Sequence, residues 1–194
     1  MHAERGFTII ELMLVITILA IVITAGAPRF SYFIQEVRLK NSARQVAVSF
    51  QTARLKAING NRRCFIDFAP AGLTPADSFY TMWLDMDGDQ VRDTGEIDSV
   101  RLAMPEAKAG ICGWKIARDA RFGASGVGSG PEGRALPADG VDFGGADRVG
   151  FSSRGEATST GAVYLYGPSG SNYAITVGSL GSVRLWRWES GQWK

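Results

Sequence analysis

The sequence predicts an α+β protein in which one long N-terminal α-helix packs its second half on an antiparallel β-sheet head. Three observations carry this. Residues 7–27 are an apolar run interrupted by one charge, Glu11, and residues 28–59 continue with apolar side chains at three- and four-residue steps. From Cys64 onward, short runs rich in β-branched and aromatic residues are separated by Gly, Pro, Asp and Ser. Strands following a single long helix give the α+β order. The 194 residues suffice for one domain with a core, and a net charge of +2 names no partner. The expected division is a stub over 1–6, an apolar half-helix over 7–27, an amphipathic half over 28–60 and a β-rich head over 61–194.

The first half of the helix is long enough to cross a bilayer. Phe7 to Ala27 is 21 residues with Glu11 as the one charged group, and at 1.5 Å per residue it spans about 30 Å. A cleaved secretory signal places its small-residue site after the apolar segment, whereas Gly6 stands before it. A cut after Gly6 would keep the span and leave a new amine on Phe7. An ionised Glu11 in hydrocarbon costs several kcal/mol unless it is paired or reaches the interface. Two readings follow: it snorkels to the headgroups, or it pairs with a cation at its own depth, such as the Phe7 amine of the same or a neighbouring chain. Pro28 removes one backbone donor and loosens the turn before it.

Beyond Pro28, the residues Phe30, Phe33, Ile34, Val37, Val46, Phe50, Ala53, Ala57 and Ile58 are the expected buried stripe, with Arg38, Lys40, Arg44, Arg54 and Lys56 on other faces. Asn59-Gly60-Asn61 reads as the stop, so the helix runs from about residue 8 to 59. The predicted strands are CFIDF, FYTMWL, SVRLAM, GICGWKI, RVGFS, AVYLY, YAITV and SVRLWRW. The glycine- and proline-rich residues 123–146 read as a long flexible loop. Charge is unevenly spread. Residues 29–63 hold eight basic side chains against Glu36, and residues 64–107 hold nine acidic against Arg92 and Arg101. That pattern fits complementary faces within or between chains, or two solvated surfaces. Cys64 and Cys112 can form a disulfide in an oxidising compartment.

The N-terminal RGFTIIELMLVITILAIV resembles type IV pilins and type II secretion pseudopilins. The resemblance implies a leader over residues 1–6 and cleavage between Gly6 and Phe7 by a prepilin peptidase. It further implies N-methylation of Phe7, neutralisation of that amine by Glu11 during filament assembly, and a softened helix at Pro28. The segments AVSFQTARLKAI, FYTMWLDMDGDQVRDTGEI and VGFSSRGEATSTGAVYLY resemble the GspH/FimT-type minor pilins and pseudopilins. This second resemblance implies a head of two sheets packed on the helix, in a low-abundance subunit that primes filament assembly. The expected partners are other pilin or pseudopilin subunits, the peptidase, an inner-membrane assembly platform, and lipid before assembly. The expected location is the bacterial inner membrane, single-pass with the head in the periplasm, and the pilus or pseudopilus after assembly. Two alternatives stay open: a DNA-binding minor pilin of an uptake fibre, and an anchored binding module that does not polymerise.

Two stretches of the head carry candidate chemistry. In DMDGDQVRDTGE, Asp85, Asp87, Asp89, Asp93 and Glu96 fall at positions 1, 3, 5, 9 and 12 of a calcium loop, with the Val91 carbonyl at position 7. Gln90 occupies position 6, where the sharp turn favours Gly. The other reading is a solvated acidic hairpin turn. No cofactor is required, and calcium is the one the loop admits. In the tail, Arg184, Arg187 and Lys194 interleave with Trp186, Trp188 and Trp193, cations and stacking platforms that suit single-stranded nucleic acid. The alternative is an amphipathic edge strand packed on the core or on a neighbouring subunit. Enzymatic function is not expected. His2 is the one histidine and would leave with residues 1–6, and GASGVGSGPEG lacks the lysine of a phosphate loop.

Overall fold

The computed structural model describes residues 8–70, 73–93, 96, 106–108 and 111–194, without the side chains of 25–28, 106–108 and 111–112. Gly6, Phe7 and the predicted strand at 99–104 lie outside the described residues.

Helix α1 spans Ile9–Gly60. Thr8 caps it in an extended conformation, its Oγ1 accepting the Glu11 N–H at 3.3 Å. The helix stops where the sequence predicts. Asn61 turns left-handed at φ 48°, and the carbonyls of Ala57 and Ile58 are satisfied by the N–H groups of Asn61 and Arg62. The αL position is thus Asn61, one residue beyond the glycine.

The buried stripe on α1 is narrower and later than expected. Leu39, Ala43, Val46, Phe50, Ala53 and Ala57 alternate steps of four and three residues and are essentially inaccessible. Phe30, Phe33, Val37 and Ile58, assigned to the stripe from sequence, are exposed, and Ile34 is half-buried. For Phe30 and Phe33 the reason is geometric: the helix extends beyond the head at its N-terminal side, so periodicity continues where the described residues do not cover it; Ile58 lies in the last turn, off the Ala53–Ala57 line that faces the core.

Two antiparallel sheets close on this stripe. The first joins β1 (Arg63–Asp67), β2 (Phe79–Asp85), β3 (Glu106–Lys108), β4 (Ile111–Lys115) and β7 (Arg148–Phe151) in the order β3-β4-β2-β1-β7. The second joins β5 (Arg121–Phe122), β8 (Gly161–Tyr166), β9 (Asn172–Val177), β10 (Val183–Glu189) and β11 (Gln192–Trp193) in the order β11-β10-β9-β8-β5, with β6 (Val141–Asp142) also on β8. Their inner faces share one core with α1, in which Phe50 meets Phe68, Phe143 and Phe151 at centroid distances of 6.0, 5.9 and 6.4 Å. Polar groups buried there are paired: the Ser49 and Tyr80 hydroxyls are 2.9 Å apart, and Ser42 Oγ accepts the Ala117 N–H.

Residues 123–146 are not a free loop. They carry β6, bury Val141 and Phe143, and are pinned by the Gly123 N–H to the Tyr164 carbonyl and by Asn172 gripping both the N–H and the C=O of Ser125. Small residues are needed because the backbone runs hard against the sheet. A Cβ at Gly130 would overlap the Tyr164 hydroxyl, and one at Gly140 the Gly123 backbone.

The disulfide expectation is also corrected. Cys64 is a free, fully buried thiol on β1. Cys112 belongs to β4, and β2 runs between the two strands. Two strand spacings are about 9–10 Å, beyond the roughly 7 Å between Cα atoms that a disulfide can bridge.

Candidate functional site

The apolar half of α1 is the most unusual surface of the molecule. Every residue from Thr8 to Thr24 is exposed, including Ile9, Ile10, Leu12, Met13, Leu14, Ile16 and Ile18. So large an exposed apolar surface marks a site that lipid or protein covers. Its polar atoms are turned inward. Thr17 Oγ1 donates to the Met13 carbonyl at 2.7 Å, and Thr24 Oγ1 to the Ala20 carbonyl at 2.6 Å. Glu11 is the one charge on this surface, placed in the first turn where its carboxylate also meets the positive end of the helix dipole.

No single helix among the described residues is long and apolar enough to cross a membrane. Ile9–Thr24 and Arg29–Gly60 meet that length and composition as a pair, bent by 44° between them. The bend falls where Pro28 withdraws a backbone donor.

The acidic stretch is folded tightly at the end of β2, beside the C-terminus of α1. Asp85, Asp87 and Asp89 come together, one carboxylate oxygen of each lying within 4.8 Å of the others. Gln90 takes φ 63°, the left-handed conformation that position 6 requires without glycine. Glu96, 3 % exposed, closes the segment by accepting the N–H of Met86 at 2.6 Å and of Asp93 at 3.0 Å. Asp93 and Glu96, also expected as ligands, stand outside the aspartate trio. Arg62 and Arg63 line the same open cleft as Asp85 and Asp87, so the basic and acidic segments of the sequence do meet here.

The tail is engaged within the chain. Arg187 bonds Glu36 at 3.2 Å and Glu189 at 2.8 Å and lies over the Tyr173 ring, while Arg184 faces Glu132 at 3.8 Å. Burial, with Glu36 next in weight, pushes the Tyr173 hydroxyl above its ordinary pKa. Trp186 donates to Thr176, Trp193 donates to the Ser129 carbonyl, and Trp188 packs edge-on against Trp193 at 5.3 Å. Lys194 exchanges both backbone hydrogen bonds with Arg187. This arrangement favours the packed-strand reading over the nucleic-acid one: Arg184 and Arg187 already face carboxylates, and the indoles are half-buried. The link from Glu36 to Arg187 ties β10 to the helix across 151 residues of sequence and had no local signal.

No curated protein matches the chain by sequence. Among solved structures it is similar to the minor pseudopilin EpsH from the type 2 secretion system of Vibrio cholerae, with 10% identity and TM-score 0.46 over 76% of this chain and 95% of that one. It is also similar to the type IV minor pilin FimU of Pseudomonas aeruginosa, with 13% identity and TM-score 0.48 over 84% and 96% of the two chains. A family model, the prokaryotic N-terminal methylation motif, matches residues 1–27. The chain therefore carries that methylation motif, on a long helix that ends in a two-sheet α+β head.

Proposed function

We propose that this protein is a minor pilin or pseudopilin, a structural subunit of a type IV pilus or type II secretion pseudopilus. The observation that carries the reading is the pairing of a methylation motif over residues 1–27 with a half-helix whose described side chains, Thr8 to Thr24, are exposed, while the head buries a core against the later helix. In this reading, a prepilin peptidase cuts between Gly6 and Phe7 and Phe7 is N-methylated. The apolar half-helix holds the subunit in the inner membrane, with the head on the periplasmic side. An assembly platform then moves it from lipid into a bundle of neighbouring subunits, by head-to-tail contacts that do not close. Lipid and bundle are similarly apolar, so the move is nearly balanced except at Glu11, whose charge must be paired wherever it is buried. The role is structural, not catalytic.

Mass spectrometry of the protein isolated from a strain with an active prepilin peptidase tests this. The expected N-terminus is N-methylated Phe7. An intact Met1, or an unmodified Phe7, overturns the reading.

A further inference from the structure

Asp85 has a feature that the fold alone leaves unexplained. Its side chain is buried, with 2 % exposure, at the last position of β2. Its Oδ1 accepts the Gly88 N–H at 2.6 Å. Its Oδ2 is sealed from solvent and, among the described residues, touches no donor. A buried carboxylate oxygen with no partner costs free energy unless something cationic reaches it. The chain's own cation in this segment does not: Arg92 Nη1 is likewise buried without a partner, so the two groups do not satisfy each other. What the Asp85 carboxylate does have within 4.8 Å is a carboxylate oxygen from Asp87 and another from Asp89, both exposed. Three carboxylates brought this close repel one another unless a positive ion lies among them.

We propose that the turn after β2 binds one calcium ion, with Asp85, Asp87 and Asp89 as carboxylate ligands beside the cleft formed with Gly60–Arg63. Spacing and burial support the same choice of ion. Hard oxygens at alternate positions let a curved backbone aim several ligands at one cation, and calcium accepts six to eight oxygens in flexible geometry. Magnesium demands strict octahedral geometry and keeps most of its water, which suits this set poorly. Arg62 and Arg63 across the cleft oppose binding by charge, so the site belongs to the weak class of extracellular modules, with dissociation constants of roughly 0.1–1 mM. The proposal is independent of the assembly role.

The test uses the full chain in detergent micelles, titrated calorimetrically with calcium chloride and then melted in calcium, magnesium or chelator. Expected are one calcium per chain and a melting temperature several degrees higher in calcium than in equal magnesium. Asp87→Asn and Asp89→Asn should each weaken binding about tenfold or more. Both positions are exposed, so these variants remain interpretable if the buried Asp85→Asn misfolds. Absence of both heat and melting shift at about 10 mM calcium overturns the proposal. So does an undiminished calcium response in the Asp87→Asn/Asp89→Asn double variant, or an equal response to magnesium.

Discussion

Cys64 shows how much a single position depends on its neighbours. Burial pushes its thiol from 9.0 up to about 12, with Lys56 pulling it slightly back. Burial also raises Tyr80, against the opposing hydrogen bonds of Ser49 and Gln45. Both are acids whose folded pKa lies above the unfolded value, so the native state holds protons that the unfolded state gives up. Stability is then fully present below about pH 9 and falls as pH rises toward 12, by up to about 1.4 kcal/mol per pH unit for each such group. Denaturant titrations of the wild type and Cys64→Ala across this range should show a shallower decline in the variant. Parallel slopes would contradict the burial argument. That Cys64 pairs with nothing was not legible in the sequence, since the separation of Cys64 from Cys112 depends on β2 lying between their strands, an order no local pattern encodes. The orphaned Oδ2 of Asp85 was equally hidden: spacing names the aspartates, but only packing decides which of them loses water.

Among the elements, those with a full period of side chains could be read directly, and those without could not. Strands β1, β2, β4 and β7–β10 are long enough for β-branched and aromatic residues to declare themselves, and α1 announces both its span and its stop at Asn61. Strands β5, β6 and β11 are two residues each, too short for any alternation to appear. They exist because the chain returns to pair with β8 or β10, which is a tertiary event. The glycines of residues 123–146 were read as looseness but serve close approach. Gly161 makes the same point from the opposite strand, because a Cβ there would overlap the Asp142 carbonyl oxygen and crowd the Phe143 ring. Gly161→Ala should therefore push β6 off β8 and cost about 2 kcal/mol or more. Gly128→Ala, in open space at ordinary φ, should cost little. Equal unfolding midpoints for the two variants would show that the close approach has no energetic weight.

At the scale of the whole molecule, the chain is a head that buries its own core and a half-helix that leaves its apolar surface uncovered. The uncovered apolar stretch was legible, because twenty-one residues with one charge have few other uses. How far the helix outruns the head was not, and Phe30 and Phe33 were assigned to a core that never reaches them. The proposed role places the decisive test on Glu11. Glu11→Ala should leave the protein in the membrane with an unchanged head, yet remove it from sheared filaments or abolish their formation, as read by immunoblot of the filament fraction. A variant that enters filaments at the wild-type level would favour an anchored binding module that never polymerises.

The inward-turned hydroxyls of Thr17 and Thr24 have a mechanical consequence. With those groups bonded back to their own helix, the surface from Leu12 to Thr24 offers surrounding helices no directional hydrogen bond from a side chain. Such a rod can slide along its axis and spin about it at little cost, in lipid or against other rods, and nothing on it prefers one azimuth over another. Glu11 is then the single tooth on an otherwise smooth shaft, and it sets depth and rotation together, because a displacement of either kind carries the carboxylate away from whatever cation it has met.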